Sequence, residues 1–169
     1  MTHPLVLQLH FTRSEWQRAL AGLTDDDARH RFEPMNSISW MLGHLAWHEH
    51  LYWCVRGQGK DILPQLDPIV GYQQPASTPP LADMWAAWHT AIEASDPYLA
   101  TLTSEIMQTH MRLNGEPHEQ SIGTMLQRVI YHYWFHTGEV LAIRQILGHK
   151  NLPEFVGEIQ AGGPYRPEA

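Results

Sequence analysis

Two pairs of histidines have a spacing that lets imidazole rings share a metal ion. His44 and His48 are four residues apart, and His132 and His136 repeat that spacing much later in the chain. In an α-helix, residues four apart project from the same face, one turn from each other. Two nitrogen atoms placed in this way can both reach one divalent ion at about 2.0–2.1 Å. The spacing therefore predicts metal coordination if both segments are helical.

Each pair lies in a stripe of residues that otherwise belong in a protein core. At about 100° per residue, the first stripe comprises Trp40, Met41, His44, Trp47, His48, Leu51 and Val55. The second comprises Met125, Val129, His132, His136, Val140, Ile143 and Leu147, with Glu139 at its edge. A lone histidine on an apolar face is usually a core residue with a satisfied hydrogen bond. Two pairs favour a shared cation, because each buried imidazole without a partner costs about 1–3 kcal/mol.

No other pattern in the sequence predicts a catalytic site. The zinc-protease motif His-Glu-x-x-His is absent, because His48-Glu49 is not followed by a histidine at position 52. Nucleophile-elbow, P-loop and dinucleotide-binding glycine patterns are also absent. The one cysteine, Cys54, is predicted to be a buried structural residue. The other eight histidines are predicted to lie at the surface: His3, His10, His30, His50, His89, His110, His118 and His149.

Helical periodicity places both pairs on long helices. Apolar residues recur at steps of three and four in segments that predict four helices, over 4–23, over 37–56, from Pro79 onward and over 121–147. Asn36 or Ser37 can cap the second helix, and Gly148 can end the fourth. Pro97 lies inside the third helix, where Asp96 caps a new turn or the helix kinks.

The segments between these helices are predicted to be irregular. Residues 57–78 are rich in Gly, Pro, Gln and Asp and predict a long crossover loop between the second and third helices. Residues 104–119 contain an Asn-Gly turn signal and predict short irregular or hairpin structure. The tail, 148–169, is predicted to be irregular with at most one short helix, around 152–157. The sequence thus predicts an all-α four-helix bundle that forms a single domain over 1–169.

The composition excludes several classes of protein. A chain of 169 residues with 43% apolar and 17% charged residues has the size and composition of one globular domain. Its net charge is -7, and nucleic-acid binding needs a basic surface. No nucleic-acid partner is therefore predicted. One cysteine excludes an intramolecular disulfide. Without a secretory signal or an apolar stretch as long as a membrane span, the sequence predicts a cytoplasmic protein with no membrane partner.

The segments around the two histidine pairs carry motifs of a known family. They are NSISWMLGHLAWHEHLYW, which contains His44, and QRVIYHYWFHTGEVLAIRQILGH, which contains His132 and His136. These segments resemble the DinB-like superfamily, which includes S-transferases that use mycothiol or bacillithiol. The resemblance implies a four-helix bundle in which the three histidines bind one divalent metal, and it implies a homodimer. The small residue and glycine that follow the last ligand in the family motif are Thr137 and Gly138 here.

The resemblance also implies a reaction, a metal-dependent transfer in which a small-molecule thiol attacks an electrophilic substrate. Three neutral imidazoles leave open positions on the ion, where a thiol or a water can lose its proton near neutral pH. A hydrolase that activates water is an alternative, and so is a non-catalytic stress-related module whose metal site is closed by His48. Neutral nitrogen ligands suit Zn, Ni, Fe or Cu, so the sequence does not specify the metal. Few inward carboxylates favour one ion rather than two.

Further residues have predicted roles around this metal. His48 or Glu139 could orient a ligand or move a proton. Arg144 could hold an anionic group of the substrate, or it could form a surface ion pair. Aromatic walls of the substrate pocket are predicted at Trp40, Trp47 and Trp134.

Overall fold

The chain divides into two compact units. The computed structural model describes residues 2–167. Residue 1 and residues 168–169, which belong to the predicted domain, lie outside the described part. The first unit comprises the residues up to Ala21 together with those from Tyr98 onward, and the second is Gly22–Pro97. The single domain predicted over 1–169 stays a prediction.

Helices dominate the described residues. The α-helices of residues 2–167 are α1 (Pro4–Leu20), α2 (Asp25–Arg29), α3 (Ile38–Glu49), α4 (Asp67–Val70), α5 (Leu81–Leu99), α6 (Ser104–Met107), α7 (Ile122–Ile146) and α8 (Ile159–Gly162). An antiparallel hairpin pairs β1 (His110–Leu113) with β2 (Glu116–Ser121). The long helices α1, α3, α5 and α7 are the four that periodicity predicts, and the all-α fold class is confirmed. In this described part, no helix is both long and apolar enough to cross a bilayer.

In the first unit, α1 packs along α7. The Trp16 ring meets the Tyr133 ring edge-on with centroids 6.0 Å apart, and both side chains are fully buried. α1 begins at Pro4, where the missing N–H of proline is harmless, and His3 Nδ1 accepts a hydrogen bond from Leu5 N. This pairing of helices buries the side of α7 that carries Tyr133.

The helix ends agree with prediction within a few residues. α1 stops at Leu20, earlier than predicted, because the chain turns at Gly22 with a φ of 75°. α7 begins after Ser121, whose hydroxyl caps its first turn, and ends before Gly148. α5 continues through Pro97, which lies in its last turn, so no separate helix begins there. The short α2 lies in a connection for which no helix is predicted.

The hairpin is the alternative that the structure selects for residues 104–119. Asn114 and Gly115 connect the strands with φ values of 53° and 86°. Two successive positive φ angles match the twist of paired strands, which is why Asn-Gly is favoured in two-residue hairpin turns. The Asn-Gly signal is therefore confirmed as a hairpin turn.

One arginine holds the C-terminal tail on α1. Arg18 donates to the Glu154 carbonyl at 2.6 Å, pairs with Glu15 at 2.8 Å and lies over the Phe155 ring. The residues that follow form turns, and the short helix of the tail, α8, comes after the predicted position at 152–157. Contacts with α1, and not local periodicity, determine the backbone here.

In the second unit, Ser37 begins the helix that carries His44. Its hydroxyl accepts a hydrogen bond from Trp40 N, which decides between the two candidate caps. The helix predicted over 37–56 is α-helical in α3 and continues as a π-helix over His50–Arg56. Every residue of α3 except Trp47 is buried, so this helix is covered on all sides.

The crossover segment 57–78 contains short elements of regular structure and buries a histidine. It contains a 3-10 turn at Pro64–Leu66 and α4. His50 Nε2 accepts hydrogen bonds from Ile62 N at 3.0 Å and from Leu63 N at 3.2 Å. The surface position predicted for His50 is wrong, because the crossover folds back over it and leaves it 4% exposed. The other seven histidines predicted at the surface are exposed or partly exposed.

Acid is expected to destabilise the protein through His50. Burial lowers the pKa of His50, and Asp61, 3.4 Å away, opposes that shift. The folded chain therefore binds this proton less readily than the unfolded chain. The contribution of His50 to stability is complete above the unfolded pKa of about 6.5 and decreases as the pH falls below it.

His50→Gln tests this expectation, because glutamine keeps a carbonyl acceptor but does not titrate. Between about pH 7.5 and about pH 5, the melting temperature of the wild type should fall more than that of the variant. Because the other histidines are the same in both proteins, their contribution to the fall in melting temperature cancels in the difference. An equal fall in both proteins would show that His50 carries none of the acid sensitivity.

Candidate metal centre

The backbone carbonyl of Val70 holds the His44 ring. His44 Nδ1 lies 2.7 Å from the Val70 oxygen, and both residues are buried. A carbonyl oxygen can only accept a hydrogen bond, so Nδ1 carries the proton. In the neutral ring Nε2 is then unprotonated, which is the form that binds metals.

Two indole rings stack on the His44 imidazole. The Trp40 ring lies at a centroid distance of 4.5 Å and an angle of 12°, and the Trp47 ring at 5.4 Å and 24°. Trp47 is itself held, since its Nε1 donates to Asp67 Oδ1 at 3.0 Å. Both tryptophans were predicted to wall a substrate pocket. Both rings contact His44, a candidate metal ligand, and their contact with a substrate stays a prediction.

His132 and His136 face each other on α7. Their Nε2 atoms are 2.9 Å apart. His136 Nδ1 lies 2.6 Å from Glu139 Oε2, so the carboxylate accepts the Nδ1 proton and Nε2 of the neutral ring carries a lone pair. Two facing lone pairs at this distance would repel. The pair therefore requires either a proton on one of the two Nε2 atoms or a shared cation.

Three histidines bring one ring nitrogen each to a common place. These nitrogens of His44, His132 and His136 all lie within 4.8 Å of one another, and the first and last of the three residues are buried while His132 is partly exposed. Three imidazoles are a donor set that catalytic divalent metal sites use, with a further position left open. In both buried rings Nδ1 is bound to an acceptor and Nε2 remains for a metal. The donor set thus fits a divalent ion, and these histidines could hold one.

His48 lies outside this group. It is one turn from His44 in α3, but among the described residues the set within the common distance comprises the three histidines alone. His48 is buried, and its ring packs on Tyr52 at a centroid distance of 4.3 Å. Cys54 is buried, as predicted.

Trp134 and Arg144 are placed by contacts with α1 and the tail. The Trp134 ring lies 6.4 Å from the Phe11 ring and 6.2 Å from the Phe155 ring. Arg144 is buried, and its Nη1 donates to the carbonyl of Ala19 near the end of α1. Arg144 is not at the surface, so the surface ion pair considered for it is wrong. The substrate contacts of Trp134 and Arg144 stay predictions.

The chain matches a known family over most of its length. A model of the DinB superfamily matches residues 8–140, which include all three clustered histidines. The chain belongs to the DinB superfamily. The resemblance seen in the two histidine segments is thereby confirmed. No curated protein matches this DinB-superfamily chain.

Two solved structures are similar to this chain in their fold. A conserved protein from Enterococcus faecalis is similar with a TM-score of 0.64 and 14% identity, over 86% of this chain and 96% of that one. A DinB-like protein from Bacillus cereus ATCC 10987 is similar with a TM-score of 0.65 and 16% identity, over 89% of this chain and 94% of that one. At such identities the likeness concerns the fold alone.

Three groups orient the candidate ligands. The sequence indicates one of them, Glu139, and does not indicate Val70 or Asp67. Glu139 is three residues after His136, and this helical spacing is a local signal for the contact between them. Val70 acts through its carbonyl, which every residue type has, so no residue signal could have found it. Asp67 could have been found only by knowing that the crossover returns to Trp47.

Proposed function

We propose that this chain binds one divalent metal ion at His44, His132 and His136 and uses it to join a small-molecule thiol to an electrophilic substrate. The observation that carries the proposal is the placement of three ring nitrogens within 4.8 Å of one another. Membership of the DinB superfamily supports the metal. The choice of reaction is supported by the resemblance of the two histidine segments to the DinB-like superfamily, which includes S-transferases that use small-molecule thiols.

A divalent ion with three neutral ligands, when bound, would lower the pKa of a thiol or a water at its open position. Glu139 accepts the Nδ1–H of His136, which leaves the Nε2 lone pair for an ion and would make this nitrogen a more basic ligand. The Val70 carbonyl does the same for His44. In the reaction the thiol sulfur forms a bond to substrate carbon, the leaving group departs with its electron pair, and the thiol proton passes to solvent.

The position of His48 favours an open site over a closed one. A purely structural metal site has four protein ligands, and His48 was the residue considered for the fourth. Its ring packs on Tyr52 and is not part of the three-histidine group. An ion held by three ligands keeps a position for a substrate, and this supports a catalyst over a non-catalytic binding module.

The reaction is tested with purified protein loaded in turn with Zn²⁺, Ni²⁺ and Fe²⁺. Consumption of bacillithiol, mycothiol and glutathione is followed in the presence of monochlorobimane as the electrophile. We expect at least one thiol to be consumed faster with loaded protein than with protein stripped by EDTA. A fully loaded protein that consumes none of the three contradicts the transferase, and ester hydrolysis without thiol would identify the hydrolase instead.

A homodimer, implied by the family resemblance, has a candidate interface on α7. Tyr131, Phe135 and Ile146 lie on one side of this helix and are largely exposed. An exposed apolar stripe of this kind is typical of a surface that another protein covers. Sedimentation equilibrium tests the dimer, and a monomer at all concentrations would contradict it.

The cytoplasmic location stays a prediction.

A further inference from the structure

The crossover between α3 and α5 supplies the groups that orient His44. The Val70 carbonyl at the end of α4 accepts the Nδ1–H of His44 at 2.7 Å. Asp67 at the start of α4 accepts the Nε1–H of Trp47 at 3.0 Å, and the Trp47 ring stacks on the His44 ring. Both ends of α4 therefore act on one imidazole, one directly and the other through an indole.

Two glycines make this close approach possible. A Cβ at Gly43, the residue before His44, would collide with Met84 Sδ of α5 and would also lie 3.0 Å from Val70 Cγ1, tighter than ordinary packing allows. A Cβ at Gly71 would collide with the carbonyl oxygen of Asp67 and lie 2.8 Å from its Oδ1. A side chain at Gly43 would therefore push α3 away from Met84 and Val70, and one at Gly71 would displace the Asp67 carboxylate from Trp47.

Serines tie the returning part of the crossover to the beginning of α3. Ser77 Oγ donates to the Ile69 carbonyl at 2.8 Å, and Ser37 Oγ donates to the Ser77 carbonyl at 3.1 Å. Ser37 also caps α3 through Trp40 N. Together with the bonds of His50 at the other end of the crossover, these contacts hold α4 in place over His44.

We propose that Asp67–Gly71 is a positioning clamp for His44, which determines the tautomer and ring plane of this ligand and thereby the affinity of the metal site. The metal part of this inference rests on the proposed function. Groups that orient a metal-binding histidine typically change metal affinity by about 10–100-fold. The clamp is a positioning element, because none of its atoms is a ligand.

Three substitutions test the clamp. Asp67→Ala removes the acceptor of the Trp47 N–H, and Gly71→Ala places a methyl group against Asp67. Asp67→Asn keeps a carbonyl oxygen for Trp47 and should restore the wild-type behaviour. Asp83→Ala, an exposed aspartate in the first turn of α5, is the matched control.

The first readout needs no metal. Long-range ¹H–¹⁵N NMR of the metal-free protein should show the Nδ1–H tautomer of His44 in the wild type, in Asp67→Asn and in Asp83→Ala. Asp67→Ala and Gly71→Ala should show mixed tautomers. The second readout is Co²⁺ affinity, which should fall about 10–100-fold in the same two variants and remain unchanged in the others.

The two readouts separate failure of the clamp from failure of the metal site. Co²⁺ binding with unchanged affinity and unchanged tautomer in Asp67→Ala and Gly71→Ala overturns the clamp and leaves the proposed function intact. A wild type that binds no Co²⁺, while the tautomer still shifts in the variants, supports the clamp and removes the metal proposal. Trp47→Phe, which loses the N–H but keeps an aromatic ring, replaces Gly71→Ala if that variant does not fold.

Discussion

His132→Ala is expected to abolish tight binding of divalent metal while the helical fold is retained. His132 is the partly exposed member of the three-histidine group, so the loss of its ring creates a smaller buried cavity than the loss of His44 or His136. Two imidazoles hold a divalent ion more weakly than three. The fall in affinity should exceed the roughly 10–100-fold that the partners of metal ligands typically contribute.

Metal content after gel filtration and affinity by chelator competition measure this effect, and far-ultraviolet circular dichroism measures the fold. His89→Ala, which removes an exposed histidine of α5, is the matched control and should bind metal like the wild type. Unchanged affinity in His132→Ala would exclude His132 as a ligand. Loss of helical structure together with the metal would identify a structural site, against the catalytic function that we propose.

Local patterns were sufficient to predict the four long helices and the Asn-Gly turn. The four long helices follow from apolar residues at steps of three and four, because that spacing depends only on helical geometry. Asn114-Gly115 predicts its turn for an equally local reason, since both residues tolerate positive φ. The π-helical end at His50–Arg56 was not predicted, because an α-helix and a π-helix can bury the same apolar residues.

The three clustered histidines and Glu139 were predictable from the sequence, whereas the groups that hold His44 were not. The i, i+4 spacing of His132 and His136 places both rings on one face whatever surrounds the helix. The partners of His44 come from the crossover, where Val70 contributes a carbonyl that residue type does not reveal. His50 shows the same limit, because its burial depends on how residues 57–78 fold back.

Arg144 illustrates how tertiary contacts override a prediction made from one helix. Helical spacing alone places it off the histidine stripe of α7, where an arginine is ordinarily solvent-exposed. In the fold α1 lies against that side of α7, and the guanidinium donates to the carbonyl of Ala19. A cation near the last carbonyls of a helix is also favoured by the helix dipole. This role competes with the predicted role in substrate binding.

Arg144→Met is therefore expected to lower the free energy of unfolding by about 1.5–3 kcal/mol, the typical contribution of a hydrogen bond to a charged group. Methionine keeps most of the aliphatic length and leaves the Ala19 carbonyl without this donor. Urea denaturation measures the change. Metal affinity should remain at the wild-type value, since Arg144 donates to Ala19 and His149 and lies about two helical turns along α7 from His136.

Arg128→Met provides the comparison, because Arg128 lies on the same helix but is exposed, and its Nε donates to the Gln120 side chain. Its loss should change stability by less than about 0.5 kcal/mol. If Arg144→Met were as stable as Arg128→Met, the Ala19 contact would contribute little to the fold. A raised KM for the electrophile in such a stable variant would then return Arg144 to substrate binding, since loss of an anion contact raises KM without unfolding the protein.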